Sequence, residues 1–355
     1  MQTAPSNLSE FLASASRGMA QAEALSALLL SIAQAAKSIA ALTTRGPLLG
    51  VTGKLASQNV QGETQMHLDV LSNAIFMDNL KQSGVVAGLA SEEMDAPVDI
   101  TQGGPFLVVF DPLDGSSNVA VNVSIGSIFS VLNAPKTPLA EADYLQAGNQ
   151  QVAAGYALYG YCTMLVLTLG QGTHGFTLDP DNGEFYLTHP GMRVPEETAE
   201  FAINASNQRF WDAATVDYVE GCLAGATGPR GKDFNMRWVA SMVADVHRIL
   251  IRGGVYVYAQ DSKEPARGGR LRLMYEVNPM SMLVEQAGGK STTGRQRLLD
   301  VQPNHIHQRV PVILGSHHEV AFMERCYAAV DGGVLKSPHS PLFSGRSLFH
   351  KKTNH

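Results

Sequence analysis

The period of the hydrophobic positions changes several times along the chain, and the changes mark out its elements. Residues 7–17 and about 19–42 are dominated by Ala and Leu, with polar residues at helical spacing, which predicts two N-terminal helices. From Thr43 to Gly62 the pattern breaks. Gly46, Pro47, Gly50, Gly53 and Gly62 predict a mobile loop there. Helical spacing returns over 63–83 and stops before Gly84. Short apolar runs and alternation then take over. They predict strands at 85–90, 106–110, 123–132, 152–159 and 163–169, and a hairpin 173–178/184–188 turning at Asp181-Asn182-Gly183. Pro190, Gly191 and Pro195 cluster between His189 and Thr198 and predict a domain boundary. Beyond it the pattern predicts a long helix 233–251, a strand 254–258, a helix 278–288 and a strand 310–314. Interleaved helices and strands without an internal repeat predict an α/β protein built in layers. Residues 335–355, rich in Ser, Pro, His and Lys, read as a disordered tail.

Composition narrows the class. The 355 residues are 45% hydrophobic with a net charge of -6, typical of a soluble globular chain of one large or two ordinary domains. The 26 Lys and Arg are scattered, so no basic field points to nucleic acid. No uninterrupted apolar run approaches the roughly 18 residues that a membrane span needs, and the N-terminus has no secretory pattern. Three distant cysteines, Cys162, Cys222 and Cys326, without a CxxC argue against a disulfide framework or a zinc site. They suit a reducing, cytoplasmic compartment.

The chemistry concentrates at strand ends. The apolar run Phe106-Leu107-Val108-Val109-Phe110 leads into Asp111-Pro112-Leu113-Asp114-Gly115-Ser116-Ser117-Asn118. Two carboxylates three residues apart, with Pro112 stiffening the turn, offer oxygen ligands to a hard cation. The Gly and hydroxyl residues that follow offer donors to a phosphate. A second pair, Glu92-Glu93, also ends an apolar stretch. Read alone, the first run is a capped turn and the second a solvated one. Together they make an oxygen-ligand metal site. Gly228-Pro229-Arg230-Gly231-Lys232-Asp233 lacks the spacing and the hydroxyl of a nucleotide loop, and His317-His318 reads as a surface turn.

Further blocks accompany these residues in order: Gly62-Glu63, Leu68-Asp69-Val70, Val123-Ser124-Ile125-Gly126, residues 231–238, residues 241–248, Leu271-Arg272-Leu273-Met274-Tyr275-Glu276 and His307-Gln308-Arg309. The set, spanning roughly residues 8 to 330, resembles the magnesium-dependent, lithium-sensitive phosphatase superfamily and, more narrowly, the class I fructose-1,6-bisphosphatase family. The resemblance implies the sugar-phosphatase fold, α/β with alternating helix and sheet layers in two tightly associated domains. These would be 1–192, with most metal ligands and an allosteric region, and 193–334, with the distal-phosphate and sugar contacts. It implies hydrolysis of the 1-phosphate of fructose 1,6-bisphosphate in gluconeogenesis or the Calvin cycle, with two or three Mg2+ per subunit, Mn2+ able to substitute. It also implies a cytoplasmic homo-oligomer, a tetramer, that binds neither nucleic acid nor membrane.

Residue by residue, the resemblance implies that Glu92 and Asp111 bridge two metals. The Leu113 carbonyl, Asp114 and Glu276 complete the shell, and Glu63 serves a third metal. Glu93 and Asp69 orient and deprotonate the attacking water. The reacting phosphate sits on Asp114, Gly115, Ser116 and Ser117. Asn204, Tyr258, Arg270 and Arg237 take the distal phosphate, Arg237 across a subunit boundary, and Met242 packs on the sugar. Arg270 stands where many members of that family have Lys, and the planar fork keeps the charge.

The chain also departs from the pattern. Ala120 replaces an Asp, and Tyr161-Cys162 replaces a smaller pair. At the regulatory nucleotide site, an ungapped placement puts Ala22, Ala24, Pro105 and Phe106 where AMP-inhibited members have polar or charged residues. Two other readings stand beside the first: sedoheptulose 1,7-bisphosphatase, alone or as a dual activity, and a weakened paralogue that senses sugar phosphates. Inositol monophosphatases lack the distal Arg and Tyr set.

Overall fold

Alternation along the strands sorts the interior into apolar layers separated by two sheets. The computed structural model describes residues 6–51, 53–58, 64–135 and 138–334. In the strand Phe106–Asp114, Phe106, Val108 and Phe110 face the helices Leu8–Ala15, Ala22–Leu49 and His67–Gln82. Leu107 and Val109 face the opposite way, toward Met274 and Tyr275. In the second sheet, Ala202, Tyr256, Val312 and Leu314 meet the helices Met242–Arg252 and Asn278–Gln286. Phe201, Val255, Val257 and Ile313 meet the helices Ala213–Leu223 and His317–Asp331. The result is five layers, helix, sheet, helix, sheet, helix, as the layered α/β reading requires.

The larger sheet has eight strands, in the order Phe185–Met192, Thr173–Leu178, Thr163–Thr168, Ala153–Tyr159, Ile125–Asn133, Phe106–Asp114, Val86–Ser91, Val98–Asp99. Its pairs are antiparallel except Val86–Ser91 with Phe106–Asp114, which run parallel in register Ala90↔Val109. The smaller sheet orders Asn235–Met236, Glu200–Ile203, Val255–Tyr258, Val312–Gly315 and Lys290–Thr292. The two sheets meet in sequence between Met192 and Glu200, where the Pro and Gly cluster lies.

Several boundaries differ from the pattern. The second helix runs to Leu49 instead of stopping near 42. The hydroxyls of Thr43 and Thr44 bond back to the Ala40 carbonyl, and Gly46 is buried within the helix. Gly50, at φ 69°, ends it, with the Val51 amide donating to the Gly46 carbonyl at 3.1 Å. The rest of the expected loop lies partly outside the described residues, as do Gly62 and the tail 335–355. The third helix starts at His67, after the strand Thr64–Met66, because Asp69 Oδ2 accepts the Met66 amide at 2.7 Å. The helix expected over 233–251 is only Met242–Arg252. Residues before it serve as an edge strand, and Ala240 takes a left-handed φ of 64°. His317 and His318 open a helix rather than a turn, with His318 Nδ1 2.6 Å from Glu197 Oε1. The helix Ala22–Leu49 is long and apolar enough by composition to cross a membrane. Its stripe Leu25, Leu28, Leu29, Ile32, Ala36 and Ile39 is instead spent in the core.

Candidate active site

Two parallel strands end side by side, and their ends carry the carboxylates. The strand Phe106–Asp114 is buried along its whole length and delivers Asp111 and Asp114. Asp111 Oδ1 accepts the Leu113 amide at 2.9 Å, and the Pro112 carbonyl is held by the Ser127 hydroxyl at 2.7 Å. Glu92 follows the neighbouring strand, its amide bonded to the Phe110 carbonyl at 3.1 Å. Glu276 arrives from the second half of the chain on a π-helical turn, Leu273–Val277, a rare conformation that re-aims one side chain. Its Oε2 accepts the Arg272 amide at 2.6 Å. Ligand oxygens of Asp111, Asp114 and Glu276 all lie within 4.8 Å of one another, and all three residues are buried.

So many carboxylates in a dry space resist ionisation together. Burial, then Glu92, Asp114 and Glu276, hold Asp111 well above the usual carboxylate range. Burial first, then Glu92, pushes Glu276 up to about 8. Asp114 is pushed up to about 6 by burial, although the Val243 amide and the Ser241 hydroxyl, both 2.9 Å from its Oδ2, oppose the shift. One cation lies inside the cluster. Arg272, 4% exposed, places Nη1 2.5 Å from Glu92 Oε1 and 4.0 Å from Glu276 Oε2. Among the described residues, Glu92 Oε2 and Asp69 Oδ1 are buried with no hydrogen-bond partner. An all-oxygen donor set with orphaned anionic acceptors fits a hard divalent cation.

Asp69 and Glu93 stand at the edge of the cluster. Asp69 is pushed up to about 7, by burial first and then by Glu93 and Glu92, against the Met66 amide. Beyond Asp114 the chain turns at Gly115, where φ is 78° and an added Cβ would come 2.8 Å from the Ser241 Cβ, so only glycine fits. Ser116 is half-buried and Ser117 exposed in the 3-10 turn that follows. The Asn118 amide group ties this turn to the Val239 and Ala240 carbonyls. Leu113 lies buried between the two aspartates, and Glu63 lies outside the described residues.

Asn204 and Tyr258 line a second, small pocket with Asn207, Trp211 and Asp261. Burial raises the Tyr258 pKa, and the charges of Arg270, Asp261 and Glu276 all act on it. Two residues of the implied set lie outside this pocket, Arg237 being implied to act across a subunit boundary in a neighbour's pocket rather than in this one. Arg237 is half-exposed beside Glu200, its Nε 3.8 Å from Oε1. Met242 is 2% exposed inside the core between the sheets, so it offers no open face to a sugar. A larger cavity of about 670 Å3 lies near Ala120 and Tyr161, lined also by Thr43, Thr44 and Tyr159. None of the described residues that line it is acidic, and the chemistry points to the carboxylates instead. Sequence reasoning missed Arg272, Ser241 and Asp261. Only Arg272 left a signal, a lone charge four residues before Glu276 in an otherwise apolar run.

The cations of the sequence 228–233 are used structurally. Arg230 Nη2 donates to both Glu319 oxygens at 2.6 and 2.7 Å, and Lys232 lies 3.2 Å from the same carboxylate. The three cysteines are free thiols.

Comparison with known proteins agrees with this architecture. The family model described as "Fructose-1-6-bisphosphatase, N-terminal domain" matches residues 6–190, and "Fructose-1-6-bisphosphatase, C-terminal domain" matches residues 194–328. A protein of Methylobacillus flagellatus named "Fructose-1,6-bisphosphatase class 1" is 56% identical over 325 residues, 91% of this chain and 98% of its own. One of the same name from Hydrogenophilus thermoluteolus is 53% identical over 353 residues, 98% of each chain. Among solved structures, the holo form of Leishmania major fructose-1,6-bisphosphatase superposes with a TM-score of 0.86 at 36% identity, covering 92% of this chain and 100% of that one. This chain belongs to the class 1 fructose-1,6-bisphosphatase family.

Proposed function

We propose that this protein hydrolyses the 1-phosphate of fructose 1,6-bisphosphate, releasing fructose 6-phosphate and inorganic phosphate, with Mg2+ as the working cation. The observation that carries the reading is the convergence of Asp111, Asp114 and Glu276, from distant parts of the chain, within 4.8 Å. Glu92, Asp111, Asp114 and Glu276 would hold the cations, with the Leu113 carbonyl beside them and Glu63 for a further ion. Bound there, a divalent cation lowers the pKa of water and takes up charge on the leaving oxygen. Water attacks phosphorus, the bond to the sugar oxygen breaks with its electron pair left on that oxygen, and the oxygen takes a proton from solvent to become the hydroxyl. Asp69, buried beside Glu93 and Glu92, would take the proton of that water, and Glu93 would orient it. Gly115, Ser116 and Ser117 offer donors to the phosphoryl oxygens. Asn204, Tyr258 and Arg270 receive the distal phosphate.

In a homo-oligomer, a tetramer by family resemblance, Arg237, exposed and outside its own distal pocket, would complete a neighbour's site. Three free thiols suit the cytoplasm, where the reaction would serve gluconeogenesis or the Calvin cycle. Sedoheptulose 1,7-bisphosphate is the less favoured substrate, since the relatives carry the fructose name. Phosphate release from each bisphosphate, with Mg2+ and then with EDTA, tests the reading. Higher kcat/KM on the fructose ester, abolished by EDTA, is expected. No turnover of either would leave only a sugar-phosphate sensor.

A further inference from the structure

Arg270 is gripped by two carboxylates of the loop that leads to it. Its Nε lies 3.2 Å from Asp261 Oδ2, and its Nη2 lies 3.2 and 3.1 Å from Oδ1 and Oδ2. Its Nη1 donates to Glu264 Oε1 at 2.9 Å. All three nitrogens are engaged, so at most about two of the five N–H groups remain for another partner. The Asp261 side chain is 5% exposed and that of Arg270 17%. Asp261 is itself anchored, because its Oδ1 accepts the Lys263 amide at 3.0 Å and its backbone bridges to Trp211. It also lines the pocket of Asn204 and Tyr258. Glu264 is more exposed and shared with Arg267, which lies 2.8 Å from it.

A carboxylate in an anion site lowers its attraction for anions, so its presence calls for a gain elsewhere. The side-on grip supplies one. A planar fork held along its Nε–Nη2 edge, with one Nη1 hydrogen on Glu264, keeps one hydrogen on each Nη for a second anion, at a fixed angle. We propose that Asp261 is the positioning residue for the distal phosphate: it fixes Arg270 so that one guanidinium serves protein carboxylate and substrate phosphate at once. The proposal rests on the reading of Arg270 as a distal-phosphate ligand. Its consequence is a strict requirement for arginine. An ammonium group at position 270 is captured by Asp261, because a point charge has no second edge to offer.

Steady-state kinetics of the full-length enzyme decides the matter. The substrates are fructose 1,6-bisphosphate and fructose 1-phosphate, which lacks the distal group. Asp261→Ala raises KM for the bisphosphate about tenfold, the worth of one well-aligned charged hydrogen bond. It also lowers the ratio of kcat/KM between the two substrates. Asp261→Asn keeps an acceptor and gives a smaller rise, and it replaces Asp261→Ala should that variant fail to fold. Arg270→Lys raises KM, and adding Asp261→Ala to it lowers KM again by freeing the ammonium. A purely structural role produces no such reversal of sign. Asp261→Ala effects in the same direction in both backgrounds, or a KM within twofold of wild type, overturn the proposal. If Arg270→Ala also leaves KM unmoved, the distal-phosphate reading falls with it. If Arg270→Ala raises KM while Asp261→Ala does not, only the role of Asp261 falls.

Discussion

Replacing Glu276 by Gln is expected to stabilise the metal-free protein while destroying its activity. The Glu276 carboxyl is 4% exposed, crowded by Glu92 and Asp114, and pushed from 4.5 up to about 8. Its folded-state value exceeds the unfolded one, so the proton favours the fold. That contribution is complete below the unfolded value of 4.5 and is lost as pH rises through about 8. Each decade of proton affinity is worth about 1.4 kcal/mol, so Glu276 alone removes on the order of 3 kcal/mol between about pH 5.5 and about pH 8.5. Asp69 and Asp114, raised to about 7 and about 6, push in the same direction over lower windows. At roughly 2 °C per kcal/mol for a chain of this size, the melting temperature falls by about 6 °C across that range. Gln keeps the shape and the acceptor for the Arg272 amide but never ionises. Melting curves in EDTA, recorded at both pH values for wild type and Glu276→Gln, measure the effect. Wild type loses stability toward alkaline pH, the variant loses less, and near pH 8.5 the variant melts higher. Mg2+ raises the wild-type curve near pH 8.5, because a cation offsets the same repulsion that protons relieve. A wild-type melting temperature in EDTA that stays flat or rises with pH refutes the reasoning, as does a variant that melts below wild type near pH 8.5.

Three further outcomes follow from the same geometry. Arg272→Met strands Glu92 among other carboxylates and costs about 3–5 kcal/mol, read from denaturant midpoints in EDTA; a loss below about 1 kcal/mol contradicts the pairing. Glu92→Gln cuts kcat by more than roughly a hundredfold with an unchanged far-ultraviolet spectrum, since bridging two cations needs the full carboxylate charge; retained turnover removes Glu92 from the metal site. AMP is expected to inhibit only above about 1 mM, because Ala22, Ala24 and Pro105 have no side-chain donors for a phosphate and the 1% exposed Phe106 is closed to a base; half-inhibition at micromolar AMP, read from initial rates, defeats that expectation.

Much of the fold was legible because its strands are half-buried or fully buried surfaces with a regular period. Phe106, Val108 and Phe110 alternate with Leu107 and Val109, and the two sets enter different cores. The helix Ala213–Leu223 went unread although Ala214, Tyr218 and Cys222 recur at helical spacing, since Gly221 in its last turn weakens the signal. The extension of the second helix to Leu49 was hidden by Gly46 and Pro47, whose local signal was outweighed by hydroxyl back-bonding and burial. At the site, Asp111 and Asp114 announced themselves as a pair at a strand end. Glu276 entered only through family resemblance, because no local pattern predicts that a π-helical turn more than 160 residues away will reach them. Arg272 and Asp261 were missed for a related reason. Each matters through a partner that only the tertiary structure supplies.

The central claim is that acidic side chains from both halves of the chain make one cation site for phosphate hydrolysis. Anomalous diffraction from crystals grown with Mn2+, fructose 6-phosphate and inorganic phosphate tests it most directly. The account predicts metal peaks about 2.1–2.2 Å from carboxylate oxygens of Asp111, Asp114 and Glu276, with Glu92 as a bridge and a phosphate over Gly115 to Ser117. Metal bound elsewhere, with Glu276 uncoordinated, would contradict it.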